Sequence, residues 1–461
     1  EAGASFIVTG SSGGENITFS DSTFTGDSTT NILINNGTTS CDWNNSGAYA
    51  GNLIVGSGTY RSINGTNNKC GNLTVATGGT LDGSDDTLTL SGDFTTSGGL
   101  LGASCLTLNG SDENVNVPDA AALDEPNTAD LLTVECWMNA DDLGSGIGEK
   151  AMIGRDSVFR LYLENSPDVI RLQVYTDAGD WQTVDSNTLY TSLTAGKWYH
   201  IAGTWDGSTV KLYIDGKLDA EASGSGSMQA SSSALKLGSY RTGSEMWWDG
   251  SLDELRLWKV ARTPAQIRAD MFQGGTLANS TGLVGRWNVD EGTGTSVAST
   301  VNSLTGTATG TGVWAGAGTF TQGTSTVDLT GTGTLTYQGD IDFNILKCAA
   351  ATKTTTIGRL SSGYININTN LYKGAGTLSR DGSLSWRWSW KTGTGAVNNS
   401  GLSVSGASYP VDLSDTYVVY YHDATIAKEV KWEYFINGTD TTLAANQEAT
   451  GYWMNAAYQT D

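Results

Sequence analysis

Short apolar runs alternating with polar residues at a period of two recur along the chain, and clusters of Gly, Asn, Asp and Thr separate them. Such alternation writes strands with one buried face, joined by tight turns, so the expected fold class is all-β. In KWYHIAGTWDGSTVKLYIDGKLDAEA, from Lys197, three runs are joined by Asp206-Gly207 and Asp215-Gly216, and Asp-Gly between alternating runs is a strong hairpin signal. RTPAQIRADMF predicts a helix start, with Thr263 as N-cap, Pro264 in the first helical position and Gln266 placed to close a capping box.

The first hundred residues carry an internal echo. GNLIVGSGTYRS at Gly51 returns as GNLTVATGGTLDG at Gly71, and DTLTLSGDFTTSGG from Asp86 continues the beat. One strand-turn unit every twenty residues or so predicts a stacked β-solenoid or a simple β-meander. Similar text, GTFTQGTSTVDLTGTGTLTYQG, follows from Gly318. Later, SLSWRWSW sets Leu384, Trp386, Trp388 and Trp390 on one strand face, the way a sandwich core is written, and TYVVYYHDATIAKEVKWEYFINGTDTTLA reads as three strands.

One stretch resists the simple pattern. In WWDGSLDELRLW, alternation that buries Leu255 and Leu257 sends Asp253 inward with them, and Glu254, Arg256 and Trp258 the other way. An unpaired buried charge is costly, so something must meet Asp253 there.

Composition narrows the class. The 461 residues suffice for about three domains, and 15 Trp with 18 Tyr exclude disorder in spite of 60 Gly. Lys and Arg number 25 against 48 Asp and Glu, a net charge of −23, which argues against a nucleic-acid partner and against attraction to an anionic membrane. No apolar run reaches the ~18 residues of a membrane span. The chain starts at Glu1 with neither Met nor a signal-peptide pattern, as expected of a processed product or an excerpt. Among Cys41, Cys70, Cys105, Cys136 and Cys348 there is no CxxC pair, so zinc is not expected. Cys41 and Cys70, in Asn/Gly-rich text, are the candidate disulfide, while Cys105 and Cys136 read as buried fillers. The sequons at Asn16, Asn64 and Asn437 read as turns.

CLTLNGSDENVNVPDAAAL from Cys105, LTVECWMNADDL from Leu132, GKWYHIAGTWDGSTVKLYIDG, LKLGSYRTG and WDGSLDELRLWKVARTPAQI together resemble, in this order, the LamG-type (concanavalin A-like, pentraxin-related) jelly roll. GLVGRWNVDEGTGTSV from Gly282 resembles a segment that accompanies such domains. The expected division is a Gly/Thr-rich β-repeat module over 1–102, the jelly roll over 103–275, a linker or return segment over 276–320 and a C-terminal β module over 321–461. The Gly/Thr repeats resemble those of phage virion proteins and bacterial surface adhesins. The jelly-roll resemblance implies two packed antiparallel sheets, commonly with a calcium ion and commonly binding glycans or proteins. It also implies that the strand carrying DELRLW lies beside the first strand, which carries NGSDENV, bringing Asp112 towards Asp253. Two such carboxylates share a proton or a Ca²⁺ ion; otherwise loop amides meet Asp253.

Only two histidines are present, His200 in a strand and His422 at a predicted turn, which leaves a His-dependent triad little to work with. Glycoside hydrolysis needs two carboxylates, but the Glu-x-Asp-x-Glu strand of the laminarinase-type branch of this fold is missing, and Glu429 and Glu433 stand too far apart to replace it. No catalysis is expected. For stacking against sugars the loop candidates are Trp181, Tyr240, Trp247 and Trp248, each with a core or turn-anchor alternative. The expectation is a non-catalytic, surface-displayed structural protein, set in a phage virion (decoration, fibre or tail) and partnered by other virion or surface-assembly proteins or by cell-surface glycans. The alternatives are a bacterial calcium-dependent carbohydrate-binding adhesin and a glycoside hydrolase.

Overall fold

A computed structural model describes residues 98–241, 246–310 and 313–339 in full, most of 51–97 and 341–359, and elsewhere chiefly the backbone of the strands. The chain folds as two compact units, Gly98–Gly316 and the remainder, Glu1–Ser97 with Ala317–Asp461.

The remainder contains a parallel β-solenoid. One of its sheets stacks Asn31–Asn45, Asn52–Ser62, Asn72–Val75, Phe94–Thr96, Gly333–Tyr337, Thr354–Arg359 and Thr377–Arg380. A second stacks Asn68–Cys70, Thr87–Leu90, Thr326–Leu329, Ile341–Cys348 and Ile365–Lys373. The echo read at Gly51 and Gly71 is two successive rungs of this stack. Identical positions meet identical partners: Asn52 Nδ2 donates to Asn31 Oδ1 at 2.9 Å, and Asn72 Nδ2 to Asn52 Oδ1 at 2.7 Å. The ladder runs on through the Asp93 amide, which donates to Asn72 Oδ1, and the Thr334 amide, which donates to Asp93 Oδ1, each at 2.7 Å. Inside, Phe94, Phe320 and Phe343 pack with ring centroids 5.4–5.8 Å apart.

Asp93 and Thr334 are neighbours because the other unit interrupts a single turn. In one rung residues 76–78 connect Asn72–Val75 to Gly79–Asp82. In the next, Phe94–Thr96 should lead directly to Thr319–Thr321, which pairs with Gly79–Asp82, but Gly98–Gly316 lies between them. The ends stay together, the Gly318 amide donating to Ser97 O at 3.1 Å. A Cβ on Gly318 would lie 2.2 Å from Ala76 O, and one on Gly79 2.1 Å from Val55 O, so both corners require glycine.

This arrangement revises the expected division. The outer modules, expected separately at 1–102 and 321–461, share one unit, and the jelly-roll unit is inserted within it. The expected linker supplies three of that unit's strands: Leu283–Trp287 pairs with Asp249–Trp258, Thr305–Thr309 with Asn114–Val117, and Ser296–Ala298 with Thr305–Thr309. The expected disulfide does not form. Cys41 is registered against Tyr60 in one sheet, Cys70 against Leu90 in the other, and the Cys70 thiol is free and buried. Asn16 lies in the strand Glu15–Phe19, and His422 in Tyr417–Asp423, not in turns. Leu384–Trp390 pairs with Tyr417–Asp423, but the side chains of Trp386, Trp388, Trp390, His422 and Glu433, together with Asn64, Glu429 and Asn437, lie outside the described residues.

Gly98–Gly316 is the expected two-sheet antiparallel sandwich. The first sheet runs Leu106–Asn109, Asp249–Trp258, Leu132–Ala140, Trp198–Trp205, Thr209–Ile214 and Lys217–Ser223, with Leu283–Trp287 also on Asp249–Trp258. The second runs Trp181–Leu189, Asp168–Tyr175, Phe159–Asn165, Lys150–Arg155, Leu235–Leu237, Asn114–Val117, Thr305–Thr309 and Ser296–Ala298. Leu161, Leu172, Ile201, Leu252, Leu255, Leu257 and Trp248, all fully buried, fill the space between them. Asp215 and Gly216 both have positive φ, 49° and 69°, the geometry of the hairpin turn that Asp-Gly favours. The capping box also forms: Thr263 Oγ1 accepts from the Gln266 amide, and Gln266 Oε1 from the Thr263 amide.

Because the rungs stack across the interruption, replacing Gly98–Gly316 by a three-residue turn should leave the solenoid with its β-type circular dichroism and a cooperative melt. Loss of both would show that the inserted unit is needed for stacking.

Candidate functional site

The outward face of the first sheet is covered. Residues 259–282, with the short helix Pro264–Asp270, lie across it, Ile267 packing on Ala202 and Tyr213. Trp137 Nε1 donates to Met271 O at 2.6 Å and its ring packs on Phe272 and His200. Beneath this cover sits a network of buried charges. Arg256 and Arg286 both donate to the Glu254 carboxylate, at 2.9–3.2 Å. Arg256 and Arg262 share Glu135 Oε1, at 3.4 and 3.1 Å, and Arg262 also pairs with Asp270. Arg256 Nη1 and Nη2 tie the cover down by donating to Asp270 O and Gln273 O.

Asp253 belongs to this same outward face, which corrects the expectation that it points into the core. Glu254 has φ 50° and the register slips beside it, so that Glu135 faces Arg256 while Trp137 faces Asp253. This bulge absorbs one residue and resets the alternation: Leu252 and Leu255 both enter the core, and Asp253 leaves it. The position is a seam. On that side of Asp249–Trp258, Leu106–Asn109 pairs only as far as Leu252, and Leu283–Trp287 takes over at Leu255. Into the gap come loop amides. Leu100 N and Leu101 N donate to Asp253 Oδ2 at 2.8 and 3.1 Å, and Ala103 N to the neighbouring Asp290 at 2.6 Å. Burial, with Glu254 and Asp290 adding, pushes the Asp253 carboxyl well above the usual carboxylate range.

Asp112 is elsewhere. It is exposed in the turn after Leu106–Asn109, accepting from Asn109 Nδ2, and Asn109 is registered against Asp249, four residues or roughly 13 Å of strand from Asp253. The two carboxylates expected to share calcium are not brought together. Among the described residues no group of three or more His, Cys, Asp or Glu could hold a metal ion.

The outward face of the second sheet is built differently. Phe159, Leu161 and Leu163 of one strand, and Ile170, Leu172 and Val174 of the next, point into the core, so their alternates line the outside in two cross-strand rows. Gly154, Arg160, Gln173 and Thr183 form one row, and Ala151, Tyr162, Arg171 and Asp185 the other. Arg160 Nε donates to Gln173 Oε1 at 2.7 Å, and Gln173 Nε2 to Thr183 Oγ1 at 2.9 Å. Arg171 is saturated, pairing with Glu164 and through two nitrogens with Asp185. Gly154 leaves room for the Tyr240 ring, since a Cβ there would meet Tyr240 Cδ2 at 2.7 Å. Three rings therefore surround one cation: the Arg160 guanidinium lies 4.6 Å from the Tyr162 centroid and 5.2 Å from those of Trp181 and Tyr240. Tyr175 packs beside Trp181 at 5.0 Å.

Residues 109–268 match the family model of the concanavalin A-like lectin/glucanases superfamily, laminin-G type. The jelly roll is a concanavalin A-like domain. Among solved structures, the chain is similar to a Bacteroides ovatus protein provisionally named a carbohydrate-binding protein, at 20% identity and TM-score 0.36, over 45% of this chain and 58% of that one. It is similar to a heptameric SAP-like pentraxin of Limulus polyphemus at 15% identity and TM-score 0.29, over 38% and 84%. It is likewise similar to the CBM40 of a Ruminococcus gnavus IT-sialidase at 13% and 0.29, over 36% and 95%. Likenesses this remote say nothing of a ligand. No curated protein sequence matches the chain.

On this concanavalin A-like domain the four aromatic candidates separate. Trp181, half-buried, and Tyr240, buried, meet around Arg160. Trp248 is fully buried in the sandwich core, and Trp247 is half-buried between Trp248 and Met246, the latter a member of the Tyr240 cluster. Arg160, Tyr162 and Gln173 were not singled out from the sequence. The strands FRLYLEN and VIRLQVY place Arg, Tyr, Glu and Gln at their outward positions, and only the cross-strand register brings Arg160, Tyr162 and Gln173 together.

His200 stands on the covered face, its Nε2 3.9 Å from Glu135 Oε2. Burial pushes its pKa down to about 4, against the pull of Glu135 and helped by Arg256 and Arg262. The unfolded chain takes up that proton near 6.5, so the His200 contribution is full above pH 6.5 and is lost as pH falls towards 4, by roughly 3 kcal/mol in all. Asp215 and Asp290, pushed up to about 6 by burial, act oppositely, their contribution falling as pH rises towards 6. The His200 ring resonances are expected to stay fixed from pH 7.5 to 5 in an NMR titration; a midpoint near 6.5 would contradict the assigned burial. Asp253→Asn, which removes an acceptor for loop amides, should cost about 1–3 kcal/mol in denaturant unfolding, and an unchanged midpoint would show that those amides find other partners.

Proposed function

We propose that this is a non-catalytic, surface-displayed protein in which the solenoid is the structural stem and the concanavalin A-like domain binds glycans on its open face. One observation carries the reading: the half-buried Trp181 beside the Arg160 cluster, on the outward sheet face that residues 259–282 do not cover. Pyranose rings present apolar C–H faces and planar arrays of hydroxyls. An indole ring flanked by fixed amide, hydroxyl and guanidinium groups matches both. The net charge of −23 favours neither nucleic acid nor an anionic membrane as partner. A stacked, repetitive stem carrying an inserted domain suits a fibre or decoration protein, and the proposed setting is a virion surface, with a bacterial cell surface as the alternative. Calcium is not required by this reading, since Asp112 and Asp253 stand apart.

The whole chain should be screened on immobilised polysaccharides with calcium and then with EDTA. Binding is expected in both conditions, weakened at least tenfold by Trp181→Ala, with no release of oligosaccharide products. Binding lost in EDTA would return calcium to the mechanism, and binding indifferent to Trp181→Ala would move the site off this face.

A further inference from the structure

Resting on that reading, we infer that the open face selects an anionic saccharide, one carrying a carboxylate or a sulfate ester, through the Arg160 guanidinium. The inference begins with a mismatch between cations on the two faces. Arg256, Arg262 and Arg286 under the cover each contact a carboxylate. On the open face Arg171 is paired twice, with Glu164 and Asp185. Arg160 makes no ion pair among the described residues. Its Nε donates to a neutral amide, Gln173 Oε1, and its Nη1 reaches only the Met246 thioether at 3.6 Å.

Three aromatic rings lie within 5.2 Å of the Arg160 guanidinium carbon, and the side chain is only partly buried. A planar fork in this setting suits a two-oxygen anion, and the aromatic walls lower the local dielectric that would otherwise weaken the pair. Trp181 is both one of those walls and the proposed stacking surface, so a sugar stacked there brings a ring substituent to the cation. The acidic groups nearby do not occupy the position. Asp156 Oδ1 accepts from Tyr240 OH at 3.2 Å, and Glu164 is held by Arg171. Burial and Glu164 push the Glu149 carboxyl up, while Arg160, close enough to act on it, pulls the other way without forming an ion pair among the described residues.

The test uses the whole chain and three probes of matched length: an oligogalacturonate, a sulfated galactan oligomer and a neutral galactan oligomer. At least one charged probe should bind more tightly than the neutral one and weaken as NaCl rises. Arg160→Gln should cost roughly ten- to a hundredfold on that probe, a larger loss than on the neutral one. Arg160→Lys keeps the charge but loses the fork, and should fall between, with a thermal melt like that of the parent. If Arg160→Gln fails to fold, the lysine variant decides. Preference for carboxylate over sulfate, or the reverse, identifies the source of the anion and supports the inference either way. Neutral binding as tight as charged, or charged binding unaltered by either Arg160 variant yet removed by Trp181→Ala, overturns the anion inference and leaves glycan binding standing. No probe responding to Trp181→Ala overturns both.

Discussion

The concanavalin A-like domain depends on a charge balance sealed beneath residues 259–282. Three carboxylates, Glu135, Glu254 and Asp270, face three guanidinium groups, Arg256, Arg262 and Arg286, all of them buried. Removing one partner from such a set leaves a naked charge and costs about 3–5 kcal/mol, more than most single contacts in the core contribute. Burial keeps His200 neutral, and Arg256 and Arg262 add to that effect against the pull of Glu135. Glu254 receives Arg256 from its own strand and Arg286 from the neighbouring one, and its left-handed φ marks the bulge beside them.

The solenoid solves a different problem, that of stacking short strands that are individually too small to bury a core. Asparagine meets asparagine and apolar residue meets apolar residue at each step, so stability is local to neighbouring rungs. A turn can then host a whole domain, provided its two ends return to adjacent positions. The Ser97–Gly318 hydrogen bond and the Asp93–Thr334 step meet that condition. An insertion whose ends are held together by its own folded sheets adds little closure entropy compared with a flexible loop of the same length.

Where each residue's role follows from its immediate neighbours, the sequence was legible. The Gly51 and Gly71 echo is two real rungs, Thr263 and Gln266 close their capping box, and the Asp215-Gly216 hairpin forms. Where a role depends on residues far away in sequence, it was not. Asp253 was misdirected because the bulge at Glu254 resets the alternation, and the spacing of the apolar positions does not announce it. Leu283–Trp287 and Thr305–Thr309 looked like a linker because edge strands in Gly- and Thr-rich text carry weak alternation, and only their partners, Asp249–Trp258 and Asn114–Val117, make them strands. Trp181 and Tyr240 could be named from sequence, but their meeting at Arg160 depends on Gly154 leaving space beneath a ring from another loop.

Both outward faces of the sandwich use the same vocabulary of Arg, Glu and large rings, so residue type does not separate architecture from recognition. Charge accounting and cover do. Where every cation meets a carboxylate and a polypeptide segment lies across the result, the polar groups have spent their capacity on the fold. On the other face the accounting closes for Arg171, while Arg160, ringed by Tyr162, Trp181 and Tyr240, meets among the described residues an amide and a thioether but no carboxylate. Among the described residues the Arg160 guanidinium meets no carboxylate, and that is why the proposed recognition is placed on this face, not on the covered one.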